Sequence, residues 1–187
     1  MPVLDPIFKK LNYKDQATLY VLDAPDSFVP NMKSMEAFAT VKSSLAGAGH
    51  VSFVLAFVKT QRQIDDMATK VPQLLDSDAV LWFAYPKGTS KRYTCDFNRD
   101  TGWNAFGALG FEPVRMVAID EDWSALRLRR VEHIKTMTRS FAMSEAGKKK
   151  VGTAKKVAKA EAPKKAAKKA AKQTAKGKAA AKGKPAK

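Results

Sequence analysis

The chain has 187 residues and a formal net charge of +16. That charge is unevenly placed: residues 1–140 hold 18 Lys and Arg against 16 Asp and Glu, whereas residues 141–187 hold 16 Lys against Glu145 and Glu161 alone. The single cysteine, Cys95, excludes an intrachain disulfide and a multi-cysteine metal site, and the longest apolar run, Val51 to Val58, is too short to span a bilayer as a helix. The start, Met1-Pro2-Val3-Leu4-Asp5-Pro6, has no basic region followed by an apolar run. A soluble, cytoplasmic protein is the expectation.

Residues 1–140 suffice to bury one core without staples. Leu19-Tyr20-Val21-Leu22 reads as a buried strand stopped by Asp23-Ala24-Pro25. Met35, Phe38, Val41 and Leu45 recur at near-helical spacing and predict a helix with Ser34 as its N-cap. After Gly47-Ala48-Gly49, the run Val51 to Val58 is apolar on both faces, as expected at the centre of a covered sheet. Thr60 and Gln63 then form a capping box, with Asp65 and Asp66 expected in the first turn, where the helix dipole favours them. Ile64, Met67, Ala68, Val71 and Leu75 make the buried stripe, and Pro72 should kink the helix or end it.

Ala79 to Tyr85 is a further buried strand ended by Pro86, followed by a polar loop from Lys87 to Arg99. A helix opens near Asp100 or Thr101, buries Trp103, Phe106 and Leu109, and stops at Gly110. Val114 to Ile119 and Ala125 to Val131 are the last strands, an antiparallel pair. In the second, Leu126 and Leu128 alternate with Arg127 and Arg129, so that one face is wet. The order β-α-β-α-β-α-β-β predicts a three-layer α/β sheet closing in an antiparallel hairpin.

Gly110-Phe111-Glu112-Pro113-Val114, leading into a strand, an acidic Trp-containing turn and a Leu-Arg strand, resembles the end of a class I methyltransferase-like, Rossmann-like sheet. More narrowly, Lys10 to Gln16, Trp82-Phe83-Ala84-Tyr85-Pro86-Lys87 and Asp122-Trp123-Ser124-Ala125-Leu126-Arg127 resemble a family of small bacterial proteins that brings no activity to carry over. That resemblance covers most of residues 8–138 and implies a degenerate methyltransferase-like domain. The glycine-rich turn a nucleotide cofactor needs after the first strand is replaced by Asp23-Ala24-Pro25-Asp26-Ser27-Phe28. No cofactor is therefore expected.

Ligands of open α/β sheets bind beyond the carboxyl ends of the strands. This rule selects Asp23 and Asp26, Lys59, and the loop after Tyr85, where Lys87, Lys91, Arg92, Tyr93 and Arg99 offer cations and a stacking face. A solvated loop, with Trp103 turned to the core, is the preferred reading of the same residues. Asp120-Glu121-Asp122 reads as a solvated turn, since no further metal ligands lie nearby in sequence, and no metal is expected. His50 and His133 lack partners at triad spacing, and Cys95 reads as an incidental thiol.

Residues 141–187 are read as a tail: from Lys148 the chain is nearly only Lys and Ala with scattered Gly, Thr and Pro, and no aromatic follows Phe141. Such a segment cannot bury enough surface to offset its ordering entropy and is expected to be a disordered tail. Its lysines are the expected nucleic-acid contacts: Lys148, Lys149, Lys150, Lys155, Lys156, Lys159, Lys164, Lys165, Lys168, Lys169, Lys172, Lys176, Lys178, Lys182, Lys184 and Lys187. The tail resembles the Lys/Ala/Pro-rich tails of linker histones and bacterial histone-like proteins, which implies coating or compaction of DNA. Without Arg, Asn or aromatic side chains it has little with which to read base edges. Without Trp, Phe or Leu it lacks membrane anchors. The expectation is sequence-non-specific binding, DNA favoured over RNA, in a nucleoid-associated protein if the source is bacterial. The α/β domain is then an interaction module, for a protein or another ligand, or an enzyme that the tail localises.

Overall fold

The computed structural model describes residues 2–137 and 142–151. Among the described residues the elements follow as α1 (Pro6–Lys10), β1 (Thr18–Leu22), α2 (Val29–Met35), β2 (Thr40–Lys42), β3 (Val51–Phe57), α3 (Gln61–Lys70), β4 (Leu75–Pro86), α4 (Asn104–Ala108), β5 (Phe111–Ala118) and β6 (Trp123–Arg130), with a further helix over residues 145–151. The strands form one sheet in the order β2-β1-β3-β4-β6-β5. The first four are parallel, while β6 is antiparallel to both β4 and β5. The fold is a Rossmann-like three-layer α/β sheet, mostly parallel, with a closing antiparallel hairpin.

Two apolar cores flank the sheet, which is why β3 and the second part of β4, Ala79 to Tyr85, are apolar on both faces. On one face Val54, Ala56, Leu81 and Phe83 pack with Ile64 and Ala68 of α3 and Phe106 of α4. On the other, Phe53, Leu55, Val80 and Trp82 pack with Phe8, Phe28 and Met35. The Trp82 indole N–H donates to the Leu11 carbonyl at 2.7 Å, fixing α1 to β4.

The capping box of α3 is present: Thr60 Oγ1 accepts from Gln63 N while Gln63 Oε1 accepts from Thr60 N. Asp65 and Asp66 lie beyond the first turn, which begins at Gln61, so the dipole argument does not apply to them. Pro72 sits in a single 3-10 turn, Val71–Gln73, that ends the helix. At the close of α4, Gly110 takes φ +79°, the left-handed conformation that glycine adopts without strain. That helix begins at Asn104, four residues later than Asp100.

The stretch from Ser34 to Leu45 departs from expectation. Its helix is α2, which ends at Met35, and Thr40–Lys42 is instead an edge strand paired in parallel with β1. Met35, Phe38 and Val41 do face one core, whereas Leu45 packs against the other, so their spacing mimics a helix across a helix end, a turn and a strand. Ser34 caps nothing; its hydroxyl lies against Asn31 O and Asp5 Oδ2. Asp5 itself caps the unforeseen α1, accepting from Ile7 N and Phe8 N.

Residues 142–151, expected in a disordered tail, are packed against the domain. Glu112, fully buried on β5, accepts from Met143 N (3.0 Å), Ser144 N (2.7 Å) and Ser144 Oγ (2.6 Å). The Ser144 hydroxyl also accepts from Gly147 N at 3.0 Å, at the start of a helix over residues 145–151. Met143 packs on the α4 side and Val151 is buried. The Lys150 ammonium, expected on nucleic acid, donates to the carbonyls of Val131 and Ile134. Lysine count hid this dock, because three small features (Ser144, Gly147 and a buried acid distant in sequence) make it. The thirteen lysines from Lys155 to Lys187 lie outside the described residues.

Candidate ligand crevice at the strand ends

β1 leads to β2 on one side and has β3 on its other, so the loops after β1 and β3 diverge and leave a crevice between them. The crevice encloses about 410 Å³ and is bordered by Asp23, Ala24, Pro25, Asp26, Phe57, Lys59, Gln63, Tyr93 and Trp123. Asp23 makes the turn out of β1 with φ +52°, a left-handed conformation that aspartate tolerates better than most residues. The chain thereby leaves the sheet sharply without a glycine. Pro25 then contributes no N–H, so the turn lacks the row of donors that cradles a phosphate.

The floor is aromatic. Ring centroids step from Phe28 to Phe57 (5.1 Å), Phe57 to Trp123 (5.1 Å) and Trp123 to Tyr93 (5.0 Å), carrying the core out to the surface. Trp123 is 2 % exposed, and its indole N–H is buried without an acceptor among the described residues. Leaving such a donor unpaired costs about 1–3 kcal/mol.

The loop over residues 87–103 is pinned across the strand ends from both sides. Toward the β5–β6 turn, Ser90 Oγ donates to Asp122 Oδ1 (2.7 Å), Lys87 N donates to Asp122 O (2.7 Å) and Lys87 Nζ donates to Asp120 O (2.5 Å). Toward α3, Asp96 Oδ1 accepts from Gln61 N (2.7 Å) and Gln61 Nε2 donates to Gly102 O (2.7 Å). Beneath the loop a smaller hollow of about 290 Å³ touches Tyr85, Ser90, Cys95 and Asn98. The Cys95 thiol is turned to the carbonyl of Phe97 at 3.1 Å.

Asp23, Asp26, Lys59 and Tyr93 are thus brought together as the strand-end rule expects. The loop cations do not join them: Lys87 and Arg99 instead border a separate open hollow of about 560 Å³ beside Met116 and Ser124. Lys87 is spent on the hairpin turn, Arg92 lies 3.8 Å from Asp122 and over the Tyr93 ring, Arg99 pairs with Asp100 at 3.0 Å, and Lys91 is exposed outside the crevice. Trp103 is buried against Phe83, Tyr85 and Phe97, a core residue rather than a stacking platform. Asp120 and Asp122 serve the turn itself: Asp120 Oδ1 accepts from Asp122 N and Trp123 N. Among the described residues no group of His, Cys, Asp and Glu is placed to hold a metal ion. His50 lies 3.3 Å from Asp76 and His133 lies 3.4 Å from Glu132, and neither borders the crevice.

Phe57, Gln63 and Trp123 complete the crevice but were not singled out from sequence. Trp123 had a signal: it opens a strand antiparallel to β4, which places it at the carboxyl end of the parallel strands. The lining offers two exposed carboxylates, one amine, one amide and an aromatic wall, and no Ser, Cys or His nucleophile. It suits a flat group carrying hydrogen-bond donors better than a phosphate.

No protein-family model matches the chain, and no curated protein matches it. Solved structures do. Ribosomal protein L11 methylase from Lactobacillus delbrueckii subsp. bulgaricus is similar at 12 % identity over 60 % of this chain and 57 % of that one, with a TM-score of 0.37. A protein described as a type 11 methyltransferase from Sulfolobus solfataricus gives 9 %, 73 %, 99 % and 0.43 for the same quantities. A protein of the NADB-Rossmann superfamily from Streptococcus agalactiae gives 12 %, 75 %, 73 % and 0.37. The likeness is one of fold alone. The chain spans less than two thirds of the length of the first of these.

Proposed function

We propose that this protein binds nucleic acid without sequence specificity, through the Lys/Ala segment, and that its Rossmann-like domain is an interaction module for a ligand or protein. The carrying observation is the charge asymmetry: of the net +16, all but +2 lies in residues 141–187. Phosphate neutralisation by these lysines releases condensed counterions, a gain indifferent to base sequence. The crevice supports a non-catalytic domain, since its first turn has neither glycine nor a free N–H at Pro25 and its wall is formed by Phe57, Tyr93 and Trp123. DNA in a nucleoid is the partner the tail composition favours. Gel retardation of a short duplex and of a single-stranded RNA by the full chain, beside a chain ending at Val151, tests this. Equal retardation by the shortened chain would overturn it.

A second reading has one observation in its favour: the crevice lies at the topological switch point, with Phe57, Tyr93 and Trp123 in its wall. On that reading the domain is an enzyme, related to methyltransferases, that the basic segment localises. Calorimetric titration with adenosyl cofactors and nucleotides separates the two, because saturable binding at the crevice would select the enzyme.

A further inference from the structure

The β5–β6 hairpin carries an arginine face that begins two same-face steps along β6 from Trp123 of the crevice. Leu126 and Leu128 of β6 pack toward α3 and α4, so strand alternation sends Arg127 and Arg129 to the opposite face. Arg115 of β5 stands directly across from Arg127. The core beneath α1 and α2 takes in Ile119 and Trp123 and runs along the hairpin as far as the Val117–Ala125 pair, one same-face step before Arg115 and Arg127. Beyond that pair the face is bare, with Arg115 exposed and Arg127 half-buried.

Arg129 is neutralised by a two-pronged pair with Asp78, at 2.7 and 2.5 Å. Among the described residues neither Arg115 nor Arg127 has a carboxylate within 4.0 Å, and the buried Nε of Arg127 has no acceptor. Burial, followed by the charge of Arg129, lowers the basicity of Arg127; Asp78 opposes this in part, and Arg115 adds to it. Like charges directly opposite in a sheet are destabilising, yet a guanidinium cannot discharge by losing its proton. An anion seated between the two forks removes this conflict. Beside them, Arg129, His133, Lys135 and Thr136 border a hollow of about 420 Å³ that adds further donors.

We propose that the Arg115–Arg127 pair is a second contact for the phosphate backbone of the nucleic acid that the Lys/Ala segment grips, an inference resting on the function proposed above. The planar fork of arginine matches phosphate oxygens two at a time. The segment departs close by: residues 142–151 are anchored on Glu112, whose register partner is Arg129. A flat sheet face offers no element to enter a groove, so the contact is with phosphates and not with base edges.

Fluorescence anisotropy of the full chain on a labelled duplex, across a sodium chloride series, tests this. Each duplex phosphate contact contributes roughly 0.9 to the slope of log affinity against log salt. R115Q/R127Q is expected to shallow the slope by roughly 1.8 and R115Q alone by roughly 0.9, while R115K/R127K keeps it. Arg115 is exposed, so the single variant carries the test if the double variant fails to fold. R62Q, on the exposed surface of α3, controls for net charge. A folded R115Q with an unchanged slope, or an equal loss in R62Q, overturns this inference alone. A full chain that binds no duplex at any salt overturns it together with the function it rests on.

Discussion

Gly147→Ala should release the root of the basic segment without unfolding the domain. A Cβ at this position would collide with the Glu112 carboxylate and stand 2.9 Å from Ala142 Cβ. A carboxylate on a free side chain could swing aside. Glu112 cannot do so cheaply, because it is fully buried and its oxygens accept three hydrogen bonds from Met143 and Ser144. Overpacking of this kind costs about 1–3 kcal/mol. Carried by local detachment of residues 142–151, that cost raises the opening equilibrium roughly five- to 150-fold, at tenfold per 1.4 kcal/mol. Cleavage of an opened segment tracks that equilibrium when reclosing is fast. Limited trypsin digestion should therefore cut G147A faster at Lys150, whose ammonium is held by the carbonyls of Val131 and Ile134, while the melting temperature of the domain moves little. An unchanged cleavage rate at Lys150 would refute the dock.

Three further outcomes follow from single contacts. Thr60→Ala removes the hydroxyl arm of the α3 capping box and should cost about 0.5–2 kcal/mol, readable by urea denaturation as a lower midpoint with unchanged slope. Trp82→Phe leaves the buried Leu11 carbonyl without its 2.7 Å donor and should cost about 1–3 kcal/mol, again by urea midpoint. Asp78→Asn should alter the pH dependence of stability. The hydrogen bond from Arg129 holds the Asp78 carboxyl below the ordinary aspartate range, so its stabilisation is complete above the unfolded pKa and is lost as pH falls through the lower folded value. The wild-type advantage in melting temperature over D78N should be widest near neutrality and close in acid; a gap constant with pH would count against the pair.

The parts of the fold most legible in the sequence were those whose signals are local. β3 and the apolar half of β4 are continuous hydrophobic runs, and α3 has both a capping box and an apolar stripe. What failed was created by tertiary contact. β2 is three residues long and exists because Thr40 N reaches Ala17 O. The helix over 145–151 is held by Glu112, more than thirty residues away in sequence. For the crevice, the strand-end rule found Asp23, Asp26, Lys59 and Tyr93 because topology alone sets where strands end. It could not show that the loop cations would turn outward or pair with Asp100, Asp120 and Asp122, since a charge does not announce its partner.

The most direct measurement is the salt dependence of duplex affinity for the full chain beside a chain ending at Val151. Thirteen lysines follow Val151, so full engagement of these and of the Arg115–Arg127 pair would give a log–log slope of roughly −14, against roughly −2 for the shortened chain. A slope steeper than about −6 in the full chain, collapsing on truncation, is the predicted result. Equal slopes for the two chains would contradict the assignment of nucleic-acid binding to the basic segment.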